Sequence, residues 1–399
     1  MNTSELPLSI NQDWAKLPLF DRKGWKRLPF GAFAESVNNR VEPANAADEI
    51  YVGLDDLDSG DLHIRRWGKG SDVIGTKLRF RKGDLIFGRR RAYQRKLAIA
   101  EFDGICSAHA MVVRAKPDMV LPEFLPFLMM SDRFMARAVE ISVGSLSPTI
   151  NWTTLKLEEF DLPPIDQQRR IAEILWAVDA VVGASKSTTQ TILVLHKTQL
   201  KESFENSNGR WPMKALGEVA RVERGMFSHR PRNLPEFYGG TFPFVQTGDV
   251  QNADRLLRRF EYHLTELGTT FSKSFPAGTI FVTIAAVIGA TAISDREVYV
   301  TDSVVGVVPT KNMNVDYLEL FLRSKRHFLE NQAATQTAQK NINLQVLRPL
   351  LVPCPPRAVQ EQIALEILQP IQAANEAALH GEKTRSLLTS LANRIVETA

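Results

Sequence analysis

Two stretches of the chain repeat apolar residues at alternating three- and four-residue steps, the rhythm of a long helix packed against another helix. The first covers about 167–205, with Ile171, Ile174, Val178, Val181, Ser185, Ile192, Leu195 and Phe204 on one stripe. The stripe weakens at GASKSTT, residues 183–189, which predicts a bend or a polar layer. The second covers about 360–397, with Ile363, Ile367, Ile371, Ala374, Ala378, Leu388, Leu391 and Ile395, and Pro370 inside it predicts a kink. At about 1.5 Å per residue, each helix is roughly 60 Å long. Neither stripe can bury itself alone. Either each helix packs on its own domain, or the two pair antiparallel; their length and matched positions favour pairing.

The two helices also begin alike. LPPIDQQRRIAEIL at 162–175 gives an extended Pro-Pro entry, Asp166 as a candidate N-cap, and the first apolar positions. CPPRAVQEQIALEIL at 354–368 repeats the plan: Pro164 with Pro356, Gln168 with Gln360 and Ile171 with Ile363 are each 192 residues apart. Further matches follow in the same order: Trp25 with Trp211, Asp56 with Asp249, KGDLIFGRR at 82–90 with AGTIFVTI at 277–284, and Asn151 with Asn343. A period this long marks a duplicated domain rather than a solenoid. Within each copy, short β-branched runs, scattered Gly and Pro, and one or two helices (LPEFLPFLMMSDRFMARAVE, NVDYLELFLRSKRHFLENQ) read as a mixed α/β domain. IFVTIAAVIGATAI at 280–293 reads as strand, turn and strand, bending near Gly289, and is too short to span a bilayer. The expected architecture is α+β: an arm at 1–24, a first domain at 25–161, a first long helix at 162–207, a second domain at 208–354 and a second long helix at 355–399.

Net charge is only +4 over 399 residues, which by itself implies no polyanionic partner. Its distribution changes the picture. Residues 65–96 carry twelve Lys or Arg against two Asp, so the remainder of the chain is net negative. Such asymmetry is the footprint of a phosphate-binding face. Arg65, Arg66, Lys69, Arg89, Arg90, Arg91, Tyr93, Gln94, Arg95 and Lys96 are the candidate contacts, since Arg forks grip phosphates or guanine edges and Gln pairs with adenine. A solvated loop is the plainer reading. Opposite this cluster the second copy carries TIAAVIGAT, almost without charge. Its candidates lie elsewhere, at Arg230, Arg232, Gln246, Thr247, Gln251 and Asn252, with Gln336 and Gln339 as further polar groups.

The sequence offers little for catalysis. It has no G-x-x-x-x-G-K-S/T phosphate loop, no G-x-G-x-x-G, no Asn-Pro-Pro-Tyr or Asp-Pro-Pro-Tyr run, no His pair at metal spacing and no G-x-S-x-G elbow. Asp295 and Glu297 flank Arg296 as a solvated turn would. Cys106 and Cys354, the two cysteines, form no C-x-x-C. The opening MNTSELPLSINQDWAK has acids and no apolar core, so no secretory leader and a cytoplasmic location are expected.

Two variable domains, each followed by Pro-Pro-x-x-x-Gln-x-x-Ile and a long helix, resemble the specificity subunit of type I restriction-modification systems. The resemblance runs from Trp25 onward and rests on Pro163, Pro164, Gln168 and Ile171 repeated as Pro355, Pro356, Gln360 and Ile363, with GDLIFGRRRAYQRKLAIAEFDGICSAHAMVV similar to the family's first-domain pattern. Gln167 and Val359 stand where the family often has Glu, and the charge-poor second loop departs from it too. The resemblance implies two target recognition domains reading double-stranded DNA, with the helices as an antiparallel coiled coil that fixes the spacing of two half-sites. It implies no catalysis and no cofactor on this chain. The partners would be two modification subunits, each carrying S-adenosylmethionine and flipping one adenine, and two restriction subunits. Pro164, Gln168, Ile171, Pro356, Gln360 and Ile363 would mark the helix starts and a subunit interface. A stand-alone DNA-binding protein and a helical scaffold that binds no DNA are the alternatives.

Overall fold

The computed structural model describes residues 20–205, 210–335 and 342–395. The chain divides into two compact units, one of residues 1–187 with 377–399, the other of residues 188–376. The division runs inside the two long helices rather than at their starts, so each unit takes part of both.

In the first unit, strand Lys26–Pro29 pairs antiparallel with Glu159–Leu162 and closes the domain at the root of the first long helix. A four-stranded antiparallel sheet follows the order Ala34–Val37, Met111–Ala115, Leu85–Phe87, Leu97–Ile99. A five-stranded sheet follows the order Arg40–Val41, Lys77–Phe80, Gly104–Cys106, Ile50–Val52, Gly68–Lys69, with one parallel pair, Tyr51 opposite Ile105. Leu85–Phe87 is buried throughout, which is why it reads as an unbroken apolar run. The core gathers Phe30, Phe33, Phe87, Phe127 and Phe134 with Ile171 and Leu175 of the first long helix and Leu388 and Ile395 of the second.

The second unit repeats this plan. Met213–Ala215 pairs with Leu351–Pro353. One sheet runs Ala220–Arg224, Val304–Pro309, Ile280–Thr283, Thr291–Ile293, and the other Tyr262–Leu264, Tyr238–Val245, Val298–Val300, Lys273–Phe275. The parallel pair recurs, with Phe244 opposite Tyr299. Gly289, with φ of +74°, sits in the turn before Thr291–Ile293, as the sequence predicts. Among other helices, Val315–Ser324 is capped by Asn314, whose side chain accepts from Tyr317 N.

The long helices run Ile165–Glu205 and Arg357–Arg394, each opening slightly earlier than the apolar rhythm suggests. Asp166 therefore lies within the first turn rather than at the N-cap: Gln167 N and Gln168 N already donate to Pro164 O at 3.0 and 2.9 Å. In the first helix one covered line runs Gln168, Ile171, Leu175, Val178, Val182, Ser185, Thr189, Ile192, His196 and Gln199, with Ala172, Asp179, Leu200 and the expected Phe204 buried as well. Val181 and Leu195 were expected on this stripe but are exposed (43% and 62%), and Val182 and His196 take their places. The inward face passes through polar residues, so apolarity alone misplaces it. In the second helix one covered line runs Gln360, Ile363, Ile367, Pro370, Ala374, Ala377, Gly381, Thr384, Leu388, Leu391 and Ile395, the same three-four rhythm, with Ala364 and Ala392 buried and the expected Ile371 and Ala378 half-buried beside it.

Within the first unit the helices meet at Gly381, where an added Cβ would lie 3.0 Å from Ser185 Cβ. Within the second, Thr189 Oγ1 donates to Ala374 O (3.5 Å) and Gln199 Nε2 to Glu366 O (3.4 Å). The second helix runs on through Pro370. Proline has no N–H to offer the carbonyl four residues back, which is Glu366 O. Gln199 supplies the missing donor.

Residues 1–24 were expected to be a loose arm. Residues 1–19 lie outside the described residues, as do Gln336 and Gln339. Beyond them the chain is tied down: Gln167 Nε2 donates to Asp21 O (2.8 Å), Trp25 Nε1 to Gln167 Oε1 (2.9 Å), and Arg22 Nη2 to Arg394 O (2.8 Å).

Candidate nucleic-acid interface

The basic cluster centres on the hairpin loop 88–96, between strands Leu85–Phe87 and Leu97–Ile99. Gly88 N donates to Lys96 O (2.8 Å), closing the loop at its neck. Its tip is a single 3-10 turn, Ala92–Gln94, flanked by Arg91 and Arg95 in the left-handed region (φ 59° and 52°). Hydrogen bonds hold those two non-glycine residues in a region they rarely adopt. Arg91 N donates to Pro148 O (2.8 Å), and Arg95 donates to Asp132 and to Met130 O.

The geometry sorts the candidate cations into two groups. Arg95 is committed to Asp132, and Lys96 donates to Leu54 O. Arg66 grips Asp58 (2.7 Å), and Arg65 pairs with buried Asp61 (3.2 Å). These four brace their own domain. Arg89 is half-buried, and its Nε has no hydrogen-bond partner among the described residues. Arg90 approaches His109 Nε2 (3.5 Å), and Arg91 is exposed and reaches Ser147 Oγ (3.4 Å). Tyr93 is 56% exposed, Gln94 half-exposed, and Lys69 exposed on its strand. Arg89, Arg90, Arg91 and Lys69 pair with no carboxylate among the described residues, and Tyr93 and Gln94 lie on the same loop as the three arginines. His109 was not anticipated and has no signature in the sequence. Burial, then the charges of Arg90, Arg89 and Lys77, hold its imidazole below the usual range.

In the second unit the equivalent loop, 284–290, is shorter and apolar: Ile284 and Ile288 are buried, and Ala286 and Gly289 take the left-handed positions. The two loops are held alike, Ile150 N donating to Arg89 O (3.0 Å) and Ile342 N to Ile284 O (3.1 Å). Arg230 donates to Phe227 O (2.6 Å) and His229 O (2.8 Å), and Arg232 pairs with Asp302. Both arginines therefore brace their own loop. Gln246 and Thr247 are half-buried at the start of the short helix Thr247–Asn252, while Gln251 and Asn252 are exposed at its end. Asp249 accepts from Gln246 N (2.8 Å), as Asp56 accepts from Gly53 N (2.8 Å), so this aligned pair is structural. Burial raises the Asp249 carboxyl above its usual range.

The helix-start residues have a role that the repeat alone did not show. Gln168 Nε2 donates to Pro163 O (2.8 Å) and Met119 O (3.1 Å), while Oε1 accepts from Leu121 N (2.8 Å). Gln360 Nε2 donates to Pro355 O (2.9 Å) and Asn312 O (3.2 Å), while Oε1 accepts from Asn314 N (2.8 Å). Each glutamine is buried and locks a helix to its own domain. They stand at the helix starts, as expected, and the side chains of Gln168, Gln360 and Ile171 are buried within this chain. Ile363 is half-buried, and Pro164 and Pro356 remain exposed.

Among the described residues no helix is long and apolar enough to cross a membrane. Asp295 pairs with its neighbour Arg296, as a solvated turn would.

A duplicated α/β domain followed each time by a glutamine-locked long helix defines a class, and comparison places the chain in it. The type I restriction modification DNA specificity domain matches residues 67–193 and again 208–384, so the chain belongs to that family, with two target recognition domains. It is 19% identical to the type I restriction enzyme HindI specificity subunit of Haemophilus influenzae, over 84% of this chain and 90% of that protein. It is 26% identical to the EcoDI specificity subunit of Escherichia coli, over 45% of this chain and 41% of that one. Its fold is similar to that of the S subunit of a type I restriction-modification system from M. genitalium (13% identity, TM-score 0.58, 96% of this chain and 99% of that one). It is also similar to a chain in a structure concerning complex assembly and conformational transition of the type I restriction-modification system (22% identity, TM-score 0.61, 94% and 96%).

Proposed function

We propose that this chain reads a bipartite, asymmetric DNA site, one half with each target recognition domain (25–161 and 208–354), and carries no catalytic step and no cofactor itself. The observation that carries the reading is one framework presenting two different surfaces: the same hairpin ends in arginines in the first unit and in apolar residues in the second. Two copies that read the same bases would give a symmetric site. Arg90, Arg91 and Lys69 supply phosphate-seeking charge, and Tyr93 and Gln94 supply groups suited to base edges. On this reading the long helices (162–207 and 355–399) pair as an antiparallel coiled coil and set the unread gap between the half-sites. Their shared three-four rhythm and the contacts at Gly381, Ala374 and Glu366 support the pairing. Two modification subunits, each holding S-adenosylmethionine and flipping one adenine, and two restriction subunits complete the assembly in the cytoplasm.

The test is a map of methylated adenines across the genome of a strain with this gene and of its deletion. Loss of one asymmetric, gapped motif is expected. An unchanged map, together with failure of a methyltransferase to copurify, overturns the reading. One helical turn inserted near 186–190 should lengthen the gap and leave both half-sites unaltered; changed half-sites overturn the spacer role.

A further inference from the structure

Beside the arginine loop stands a second, smaller hairpin. Val143 N donates to Thr149 O (3.1 Å) and Thr149 N to Val143 O (3.0 Å), and Gly144 at φ +116° makes the turn. At its tip, between Ser145 and Ser147, Leu146 is 92% exposed, and Val143 at its base is 70% exposed. A lone surface leucine ordinarily needs no explanation. This one has a specific setting. The returning strand of its hairpin lies against the basic loop: Thr149 bridges to Arg90, Arg91 N donates to Pro148 O (2.8 Å), and Arg91 Nη2 reaches Ser147 Oγ (3.4 Å). The hairpin thus holds out an apolar side chain next in sequence to the serine that Arg91 reaches, on a turn whose returning strand is bridged to Arg90.

We propose that Leu146 is a wedge that enters the base stack of the duplex while Arg90 and Arg91 hold the neighbouring phosphates; this rests on the DNA-reading function above. The charges and the leucine suit one ligand. Phosphates meet the arginines, and beyond the thymine methyl groups and the sugar edges the largest apolar surface a duplex offers is the face of its stacked bases. An apolar side chain pushed between two base pairs parts the stack and kinks the helix axis. Pyrimidine–purine steps part most readily, so the wedge selects for such a step without hydrogen-bonding to it.

The experiment uses the full-length chain alone, without a methyltransferase, so no extruded target base contributes to the signal. Duplexes are selected by the chain from a random pool, then remade with 2-aminopurine at each successive position. The natural chain should brighten one or two adjacent positions several-fold. Leu146→Ser should abolish that rise and weaken binding about tenfold, while Leu146→Met should retain both. The substituted side chain is exposed, so the fold is not at stake, and an unchanged circular dichroism melt checks this. A rise that persists in Leu146→Ser, or no rise at any position of a bound duplex, overturns the wedge and leaves DNA reading intact. Failure to select any duplex overturns DNA reading, and the wedge falls with it.

Discussion

The two halves of this molecule agree where side chains are buried and differ where they are exposed. Gln168 and Gln360 make the same three hydrogen bonds to the same parts of their domains, and Asp56 and Asp249 cap the same turn. The tips of the equivalent hairpins share no chemistry: one carries Arg90, Arg91 and Tyr93, the other Ala286 and Val287. Constraint follows the framework, and variation collects at the loop ends, where changing a side chain leaves the core undisturbed.

The comparison is most sharply tested at the glutamines. Gln168→Ala and Gln360→Ala each strand two carbonyls and an amide at a buried helix start. Each should cost about 3 kcal/mol in denaturant unfolding. A large loss in one copy and almost none in the other would break the claim that both helices are locked the same way. Next in size is the tip chemistry. Replacing Arg90 and Arg91 together with Ala should weaken DNA binding about thirtyfold, or about 2 kcal/mol, and lower the salt slope by about two. Ala286→Ser with Val287→Ser should leave the slope unchanged; fluorescence anisotropy across a salt series measures both. A smaller effect is expected at the helix contact. Gln199→Ala should cost about 1 kcal/mol in the natural chain and nearly nothing once Pro370→Ala restores the donor for Glu366 O. An equal cost in both backgrounds would remove Gln199 from that role.

The mildest prediction concerns pH. His63 lies between Asp179 of the first long helix (2.7 Å) and Glu101 (2.6 Å), and the hydrogen bonds to Asp179 and then Glu101 push its pKa up to about 10. A pKa raised on folding stabilises the native state fully below the ordinary imidazole range and loses that contribution as pH rises through about 10. The melting temperature of the natural chain should therefore exceed that of His63→Asn at pH 6 and converge with it above pH 10. A gap that widens with rising pH would contradict the ion-paired assignment.

Much of the framework was legible in the sequence. The duplication, the Pro-Pro entries, the long helices and the strand-turn-strand at 280–293 could all be read from spacing and apolar runs. The role of the glutamines could not, because their partners are backbone atoms of Met119 and Leu121 in one copy and Asn312 and Asn314 in the other, positions with no shared side chain. The helix register slipped because Val182, Thr189 and His196 are covered while Val181 and Leu195 are not. The arginine run could not be divided into groups that pair with a carboxylate and groups that do not, because Asp58, Asp61 and Asp132, which neutralise part of it, lie outside the run. Leu146 carried no signal, since only the hairpin sets it beside Arg91.

The division of the chain has a consequence for its synthesis. The second unit is one continuous stretch, 188–376, and a nascent chain can complete it as soon as that stretch leaves the ribosome. The first unit keeps Leu388 and Ile395 in its core. The half that is translated first is therefore finished last. Until those residues emerge, the core of the first unit lacks two of its apolar members, and this is the interval in which the growing chain is open to chaperones or to aggregation.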